Sequence, residues 1–497
     1  LDALIAQGQG EDRARVVAAT VQNLSAAPPG IQDDDSRQDR VLPFAHDQVW
    51  DQLRRLEPAA ALEAVRLNPK LASVRQGPRE LRGARQLLGA PLHATIEPLV
   101  EEPARPVVAE SSELVVDGIG QSPGTYATLA GAVASLGPTA EATIVVRQQG
   151  QLSSRPIDVG ARRLTIRGAS NAEIQALPPM GADTEAALFF VAGGHLSLEN
   201  LALRSATRGR DDGRRQGLIH LAGQGRCRLR SCQVTLLGDG SFMPTLVTLG
   251  DGQGMVEASP MPLPAPEPLA VELEGCFIRG QGHGLESAAA QSFQLEVRQT
   301  AVALRGVFCR LEGPPSEVAP MLTETAAVSF EQSTIVAMDG LFSISYRPPA
   351  APPPTLRVLH AGQNLLAAAE GTALVRVEGV ASEADLRRRF SWQGKRNLYG
   401  SAGPLLSWST AGDLSPPRQY EGEAWVELWG RAEDEPRFVR GLRFSGRLDL
   451  MTRFQGLVPR DLRITVPAPL DPDLLGRGAD LYRVYRQERE SFGDINP

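Results

Sequence analysis

The sequence predicts an all-β fold in the form of a solenoid, because a two-part pattern recurs through its middle at intervals of about thirty residues. The first part is a hydrophobic unit, apolar-apolar-x-apolar, with copies at Leu188-Phe189-Phe190-Val191, Leu218-Ile219-His220-Leu221, Leu246-Val247-Thr248-Leu249, Leu341-Phe342-Ser343-Ile344 and Leu374-Val375-Arg376-Val377. The second part alternates apolar and polar residues around a polar turn, at 196–203, 227–234, 271–278, 295–302 and 328–335. One repeat cannot bury its apolar face alone, so the repeats must stack.

The bulk composition agrees with a folded chain of many strands and turns. Of 497 residues, 49 are glycine and 38 are proline, while 42% are hydrophobic and 22% are charged. A net charge of −7 lacks the basic footprint of a nucleic-acid-binding protein, so we expect no nucleic-acid partner. No apolar run reaches the roughly eighteen residues of a membrane span, and a leader or membrane anchor upstream of Leu1 is left open.

Residues 1–104 have a different pattern and are predicted to form a helical lead-in that ends in a linker. Apolar residues at helical spacing, such as Val49, Leu53 and Leu56, alternate with charged ones. The acidic triplet at 33–35 lacks the later glycine and glutamate of a calcium loop, so we expect a solvated linker and no metal.

Near residue 111 the period changes from helix to strand, and residues 111–170 are predicted to form an opening turn. Strands are predicted at 112–116, 142–147 and 164–167, with a short helix through Ala132, Val133 and Leu136. The segments Tyr126-x-Thr128-Leu129-x-x-Ala132-Val133, Ile144-Val145-Val146 and Leu164-Thr165-Ile166-x-Gly168 resemble the opening turn of the pectin-lyase-like right-handed parallel β-helices. The resemblance implies that fold for residues 111–400, with the helix covering the first coil.

Residues 188–400 are predicted to contain seven rungs, which begin near 188, 218, 246, 285, 307, 341 and 374. At about 4.8 Å per rung they would make a prism roughly 35 Å long. The outward column of the first unit is expected to contain Phe190, His220, Thr248, Ser287, Ser343 and Arg376. The polar turn residues are expected to form an inward ladder at a corner: Asn200, Ser231, Gly275, Gln299, Gln332 and Asn397.

Three proline-rich insertions, at 250–268, 313–320 and 348–354, lie at the same position of the repeat, between its first and second parts. Insertions at one position of the repeat project from one side of a solenoid, so they either form a binding face or are loops that the fold tolerates.

The four cysteines, Cys227, Cys232, Cys276 and Cys309, lack the spacing of a zinc site or a redox motif. Cys232 and Cys276 fall in one column of the repeat, where they are either stacked buried thiols or a disulfide.

Residues 401–497 break the period and are assigned to an irregular C-terminal capping region, whose tryptophans either pack in the core or stack on sugar rings. The segments Trp392-Gln-Gly-Lys-Arg-Asn397-Leu-Tyr399, Leu405-Leu-Ser-Trp408 and Trp425-x-x-x-Trp429-Gly430 resemble the final coils of β-helix regions in large bacterial multidomain proteins. Some of those proteins have an N-terminal serine/threonine kinase domain and a membrane anchor. The resemblance implies an outer, non-catalytic part of such a protein.

Catalysis by a polysaccharide-active enzyme is the rival hypothesis. Asp211-Asp212 followed by Gly282-His283-Gly284 is similar to the polygalacturonase pattern of an aspartate pair and a Gly-His-Gly. Here, however, the pair lies in a charged loop two repeats before His283, and the other family segments have no match. His220 is the other candidate, because its outward imidazole titrates near neutral pH.

No recognisable catalytic constellation emerges, so the expected function is a non-enzymatic binding or spacer module outside the cytoplasm that contacts glycans or envelope proteins. The alternatives are a glycoside hydrolase or lyase that uses Asp211, Asp212, His220 or His283, and a purely structural stalk or adhesin. We expect no cofactor.

Overall fold

The computed structural model describes residues 112–484, except for gaps at 121–123, 149, 170–171, 178–185, 206–215, 239–242, 251–267, 288–290, 313–324, 347–352, 401–402, 412–414, 441, 447, 449–453, 466–477 and 482–483. All of the described residues belong to one compact unit, Ala104–Asp494. The predicted helical lead-in at 1–104 lies outside the described residues, as do most of the three proline-rich insertions.

Three long sheets, which we name A, B and C, build this unit. Sheet A contains, in spatial order, β2 (Thr125–Tyr126), β1 (Ser112–Val116), β3 (Glu141–Val146), β6 (Arg163–Gly168), β9 (His195–Glu199), β12 (Arg226–Arg230), β15 (Leu269–Glu274), β18 (Phe293–Arg298), β21 (Thr325–Glu331), β24 (Thr355–Gly362), β27 (Phe390–Lys395) and β31 (Glu433–Asp434).

Sheets B and C each contain ten strands, in the same order along the molecule. Sheet B contains β4 (Gly150–Ser154), β7 (Ala172–Ala176), β10 (Ala202–Arg204), β13 (Gln233–Leu236), β16 (Phe277–Gly280), β19 (Ala301–Leu304), β22 (Thr334–Ala337), β25 (Leu365–Ala367), β28 (Leu398–Tyr399) and β32 (Arg437–Phe438). Sheet C contains β5 (Ile157–Asp158), β8 (Ala186–Ala192), β11 (Gln216–Ala222), β14 (Thr245–Gly250), β17 (His283–Ser287), β20 (Cys309–Glu312), β23 (Phe342–Ser345), β26 (Val375–Glu378), β29 (Leu406–Ser409) and β30 (Arg418–Tyr420).

The chain passes from sheet A to sheet B to sheet C in each coil, and the next coil stacks on it in parallel register. The described strands make nine complete coils, and β31 and β32 begin a further one. The last pairing in sheet C, between β29 and β30, is antiparallel. The all-β parallel β-helix predicted from the sequence is therefore confirmed.

A single hydrophobic core runs through the coils from Leu114 to Leu428. Aliphatic side chains fill most of it, and aromatic rings stack near its C-terminal end. Phe308, Phe330, Phe342 and Phe390 follow one another with ring centroids 5.9, 5.9 and 6.3 Å apart. Because each inward residue packs on its equivalent in the next coil, the stack buries apolar area that no isolated coil could bury.

The corner between sheets A and B differs by one residue from the sequence expectation. Its turn residues have φ between 46° and 62° and point away from the core; they are Asn200, Ser231, Gly275, Gln299, Gln332, Gln363, Arg396 and Glu435. The next residue in each coil is the inward one. Asn397 therefore belongs to the inward column, and Arg396 occupies the turn position of that coil.

The inward corner column changes from apolar to polar along the solenoid, through Leu201, Cys232, Cys276, Thr300, Ser333, Asn364 and Asn397. In its polar part each side chain accepts a hydrogen bond from the backbone N–H of the residue before it in the column, at 3.3, 3.3, 2.9 and 3.1 Å for Thr300, Ser333, Asn364 and Asn397. These side chains satisfy backbone groups that the bend leaves without a ladder partner. Cys232 and Cys276 are buried free thiols, and no disulfide joins them.

Helices lie at both ends of the core. At the start, α1 (Leu129–Ala134) buries Leu129, Ala132 and Val133, and the Thr128 hydroxyl caps its N-terminus at 3.0 Å from the N–H of Gly131. Two further helices, α2 (Glu383–Arg389) and α3 (Gly422–Trp429), lie near the other end. No helix among the described residues has the length and apolar character needed to span a bilayer.

The far end of the core contains a buried carboxyl group, Glu433. It is in register with Gly394, whose missing side chain leaves room for the carboxylate. The Tyr399 hydroxyl donates to it at 3.0 Å and the Trp425 indole N–H at 3.3 Å. Trp425 therefore packs in the core, which was one of the two alternatives that the sequence left open for the tryptophans.

The region 401–497 does more than cover the last coil. β29 to β32 continue the three sheets, and residues between 442 and 484 lie against the outer face of sheet B. There Leu448, Phe454, Leu457, Leu462 and Val484 pack on Phe277, Ala301, Ala303, Val336, Leu365, Ala367 and Leu398. Backbone N–H groups of Gly478 and Ala479 donate to the Gln363 carbonyl and the Thr334 hydroxyl, at 2.7 and 3.0 Å. From β16 to β28, sheet B is thus covered on both faces.

Candidate functional site

Of the two candidate residues that the structure describes, His220 lies on the outer face of sheet C, in its column of outward residues. We name this surface the sheet C face and define it by its column of outward residues, which the register places one above the other: Asp158, Phe190, His220, Thr248, Glu286, Arg310, Ser343, Arg376 and Ser407. Three segments outside the described residues, 251–267, 313–324 and 347–352, follow β14, β20 and β23 of this sheet in the sequence.

The observed column of outward residues differs from the predicted column at two rungs. Glu286, and not Ser287, is in register with Thr248, while Ser287 is fully buried in register with Leu249. Arg310 follows Glu286. The hydrophobic units of these rungs therefore begin at Gly284 and Phe308, one residue away from the predicted starts at 285 and 307.

From β20 to β29 the outward residues alternate between two kinds of row. Arg310 and Glu312 are followed by Ser343 and Ser345, then Arg376 and Glu378, then Ser407 and Ser409. Equivalent rows are two strand spacings apart, about 9.6 Å. The short serine rows leave space into which the long arginine and glutamate side chains can extend. The result is a regular polar surface with a two-coil repeat.

Glu286 and Arg310 occupy the middle of the sheet C face. Glu286 is only 6% exposed. The Thr245 hydroxyl donates to its carboxylate at 3.1 Å, and a terminal nitrogen of Arg310 lies 3.9 Å from its other oxygen. The Arg310 Nε also donates to Glu312 at 2.8 Å. Arg310 thus lies between two carboxylates, and the contacts from Thr245 through Glu286 to Arg310 connect three strands, β14, β17 and β20.

His220 lies two coils earlier on the same face. Its Nδ1 is 3.0 Å from the Thr248 hydroxyl, and its ring is 5.8 Å from the ring of Phe190. The Thr248 hydroxyl also lies 3.4 Å from the Ile219 carbonyl, and if it donates there, the hydrogen bond to His220 requires the Nδ1–H tautomer of the histidine. A Cβ at Gly250 would lie 2.5 Å from the His220 Cε1, so a larger residue there would require the histidine ring to move.

His283 is the first residue of β17 and is engaged by the backbone. Its Nδ1 accepts a hydrogen bond from the Val307 N–H at 3.1 Å. Burial lowers the pKa of His283 from its usual value, although the nearby charge of Glu286 opposes this, so the ring is neutral at neutral pH. A neutral imidazole that accepts a hydrogen bond from a buried backbone N–H contributes to the structure of the corner between sheets B and C.

The structure does not bring the two candidate histidines, His220 and His283, together. In β17 the residue in register with His220 is Glu286, and His283 precedes it by three residues. Two strand spacings and three residues separate the Cα atoms of the two histidines by roughly 14 Å. Asp211 and Asp212 lie outside the described residues. Within the described ranges, no group of three or more His, Cys, Asp or Glu side chains could hold a metal ion.

Sequence reasoning missed Glu286, Arg310 and the alternation of rows. The signal is present in the strand sequences Cys-Arg-Leu-Glu, Phe-Ser-Ile-Ser, Val-Arg-Val-Glu and Leu-Ser-Trp-Ser, which share one register. It becomes visible only when the unit at Phe308 is aligned correctly.

Fold and face together define a parallel β-helix protein with a regular polar surface on sheet C. No family model, no curated protein and no solved structure matches the chain.

Proposed function

We propose that this protein is a non-enzymatic binding and spacer module, and that its sheet C face holds a hydroxyl-rich glycan chain. The observation that carries the proposal is the alternation of Arg/Glu and Ser/Ser rows from β20 to β29. A surface that repeats after two coils offers the same set of contacts twice along its length, which suits a ligand that is itself a repeating polymer.

The chemistry of the rows supports a glycan as the ligand. A sugar hydroxyl both donates and accepts hydrogen bonds. Guanidinium groups such as Arg376 supply donors, carboxylates such as Glu378 supply acceptors, and serine hydroxyls such as Ser343 supply both. Hydrogen bonds to charged groups are the stronger ones, so the arginine and glutamate rows would contribute most of the affinity.

The non-enzymatic part of the proposal rests on the two histidines. His220 is engaged by Thr248, and His283 by the backbone of Val307, at positions roughly 14 Å apart. A general acid and base that act on one bond need to lie within hydrogen-bond reach of the same substrate group. Two separately engaged imidazoles favour binding over turnover.

We also propose that the protein lies outside the cytoplasm, as a relative of the pectin-lyase-like β-helices and as the outer part of a kinase-linked bacterial protein. The support is local. The predicted opening helix is present as α1, and the residues of the C-terminal motif, Trp392, Tyr399 and Trp425, pack together in the last coils. Sequencing the upstream reading frame tests this part, since a kinase domain and one membrane span are expected there.

The glycan proposal is tested by binding of the full chain to an array of neutral and uronate-containing polysaccharides, followed by titration of the best ligand. Arg376→Ala is expected to weaken binding about tenfold or more, because one charge-assisted hydrogen bond contributes roughly 1.5–3 kcal/mol. The matched control is Arg440→Ala. Arg440 is exposed and follows β32, the last strand of sheet B, so its replacement is expected to change the affinity less than twofold.

Three outcomes contradict the proposal. Equal losses in both variants would move the binding site away from the sheet C face. Shortening of a uronate polymer during incubation would assign an enzymatic function. The absence of any bound polysaccharide would leave a structural stalk or adhesin.

A further inference from the structure

The outer face of sheet A carries an ordered pattern of charge that is independent of the sheet C face. On β6, β9 and β12 the outward charged residues are five arginines and one glutamate: Arg163, Arg167, Arg226, Arg228, Arg230 and Glu199. On β15, β18 and β21 they are four glutamates and one arginine: Glu272, Glu274, Glu296, Glu331 and Arg298. One half of this face is therefore basic and the adjoining half is acidic.

Within this face one column alternates strictly in sign along six consecutive strands. The register places Arg167, Glu199, Arg230, Glu274, Arg298 and Glu331 one above the other. A second column beside it contains Arg228 and Glu272 at the same midpoint, between β12 and β15. The side chains are partly exposed, at 38% for Arg228, 39% for Glu272 and 45% for Arg298, and they also pair within the chain, with Arg228 3.5 Å from Glu272 and Arg298 3.2 Å from Glu296.

We propose that this face binds a second copy of the same chain, in an antiparallel dimer whose twofold axis runs along the strands and passes midway between β12 and β15. Such a rotation reverses the order of the strands but keeps each position along a strand. Five different pairs then face each other across the interface, and all are of opposite sign: Arg230 with Glu274, Glu199 with Arg298, Arg167 with Glu331, Arg228 with Glu272, and Glu141 with Arg357.

Other arrangements of two copies bring like charges together. If the axis moves by half a strand spacing onto β12, Arg230 faces its own copy and Glu199 faces Glu274. If the axis runs along the solenoid instead, the basic half faces the basic half. Like charges in such contact disfavour association. The charge pattern thus selects one orientation and one register.

The size of the face agrees with a stable but modest interface. From β1 to β27 sheet A contains five strands on each side of the midpoint. At about 4.8 Å per strand and 3.3 Å per residue, these strands cover on the order of 800 Å² per chain, the usual contribution of one partner to a specific interface. Because exposed ion pairs dominate it, the dimer is expected to be sensitive to salt.

The test measures the association of the full chain by sedimentation velocity across a range of concentrations, at low salt and at ~0.5 M salt, where screening is strong. The wild-type chain is expected to dimerise at low salt, with a dissociation constant at least about tenfold higher at the higher salt. Two charge-reversal variants follow. The acidic-face variant combines Arg167→Glu with Arg230→Glu, and the basic-face variant combines Glu274→Arg with Glu331→Arg.

Each variant alone is expected to be monomeric, because every altered pair becomes like-charged. An equimolar mixture of the two is expected to form a heterodimer, since each reversed pair is then again of opposite sign. The matched control, Arg440→Glu with Arg463→Glu, changes the net charge as much as the acidic-face variant does, at exposed sites that follow the last strand of sheet B, and should dimerise as the wild type does. Circular dichroism of all variants verifies the fold.

A wild-type chain that stays monomeric at all concentrations would overturn the proposal, and so would a mixture that fails to associate. If the chain is monomeric but is retained on heparin, and the acidic-face variant is not, the basic half is instead a site for a polyanion. Glycan binding by the sheet C face is measured separately, so either proposal can fail alone.

Discussion

Replacing Asn364 by alanine is expected to destabilise the protein more than any other single change at the corner between sheets A and B. The Asn364 side chain is fully buried. Its oxygen accepts from the Ser333 N–H at 2.9 Å, and its nitrogen donates to the Phe330 carbonyl at 3.1 Å and to the Asn397 side chain at 3.1 Å. Alanine makes none of these bonds.

The size of the effect follows from the groups that are left behind. Two buried backbone groups, the Ser333 N–H and the Phe330 C=O, lose the partner that Asn364 supplies, and each such loss costs roughly 1–3 kcal/mol. The Asn397 oxygen loses one donor but keeps the Asn364 backbone N–H at 3.1 Å, so its share is smaller. A total of about 3–6 kcal/mol in the free energy of unfolding is expected.

The assay is urea denaturation followed by circular dichroism and by tryptophan fluorescence, since Trp392 and Trp425 are buried in the coils next to Asn397. The matched control is Gln332→Ala in the neighbouring outward column. Gln332 is half-buried and bonds only other glutamine side chains, at 3.3 and 3.2 Å, so the expected loss is below about 1 kcal/mol. Equal effects of the two substitutions would refute the inward ladder.

Three further predictions concern the core. Gly394→Ala places a Cβ on the carboxylate of Glu433 and is expected to cost at least about 2 kcal/mol in urea denaturation, whereas Gly456→Ala, with open space around it, should change stability by less than about 0.5 kcal/mol. Burial raises the pKa of Glu433, so the folded state favours the neutral carboxyl group. The neutral carboxyl contributes fully to the stability of the fold at low pH, and this contribution is lost as the pH rises through the raised pKa. Glu433→Gln should therefore melt progressively higher than the wild type as the pH rises from about 4 to 7, and a constant difference would contradict this. All four cysteines are buried and free, and burial raises the pKa of the thiols of Cys227 and Cys309. A thiol reagent should therefore modify no cysteine in the native chain and four cysteines in urea. Modification of fewer than four in urea would indicate a disulfide.

The hydrophobic pattern was sufficient to predict the coils because their inward residues repeat with large apolar side chains. It failed by one residue at two rungs. At Gly284 the first apolar position has no side chain, and at Phe308 the preceding Val307 is also apolar, so the pattern alone cannot fix the start. Cross-strand register, which depends on the neighbouring coils, decided both cases.

The cover on sheet B could not be predicted, because its small outward residues give no strong signal. Ala301 and Ala303 are compatible with a solvent-facing strand as well as with a covered one. Only the packing of Phe454 and Leu457 against this face shows that it is a second, outer core. The charge columns of sheet A were missed for a related reason: alternation of sign between coils is visible only after the register is known.

The stacking of parallel coils in register is tested most directly by distances along the sheet C face. Spin labels at Asp158 and Ser343 are six strands apart in one column, and labels at Asp158 and Ser407 are eight strands apart. At about 4.8 Å per strand, pulsed electron paramagnetic resonance should give roughly 29 Å and 38 Å. Equal or inverted distances, as two facing antiparallel layers would produce, would contradict the parallel β-helix.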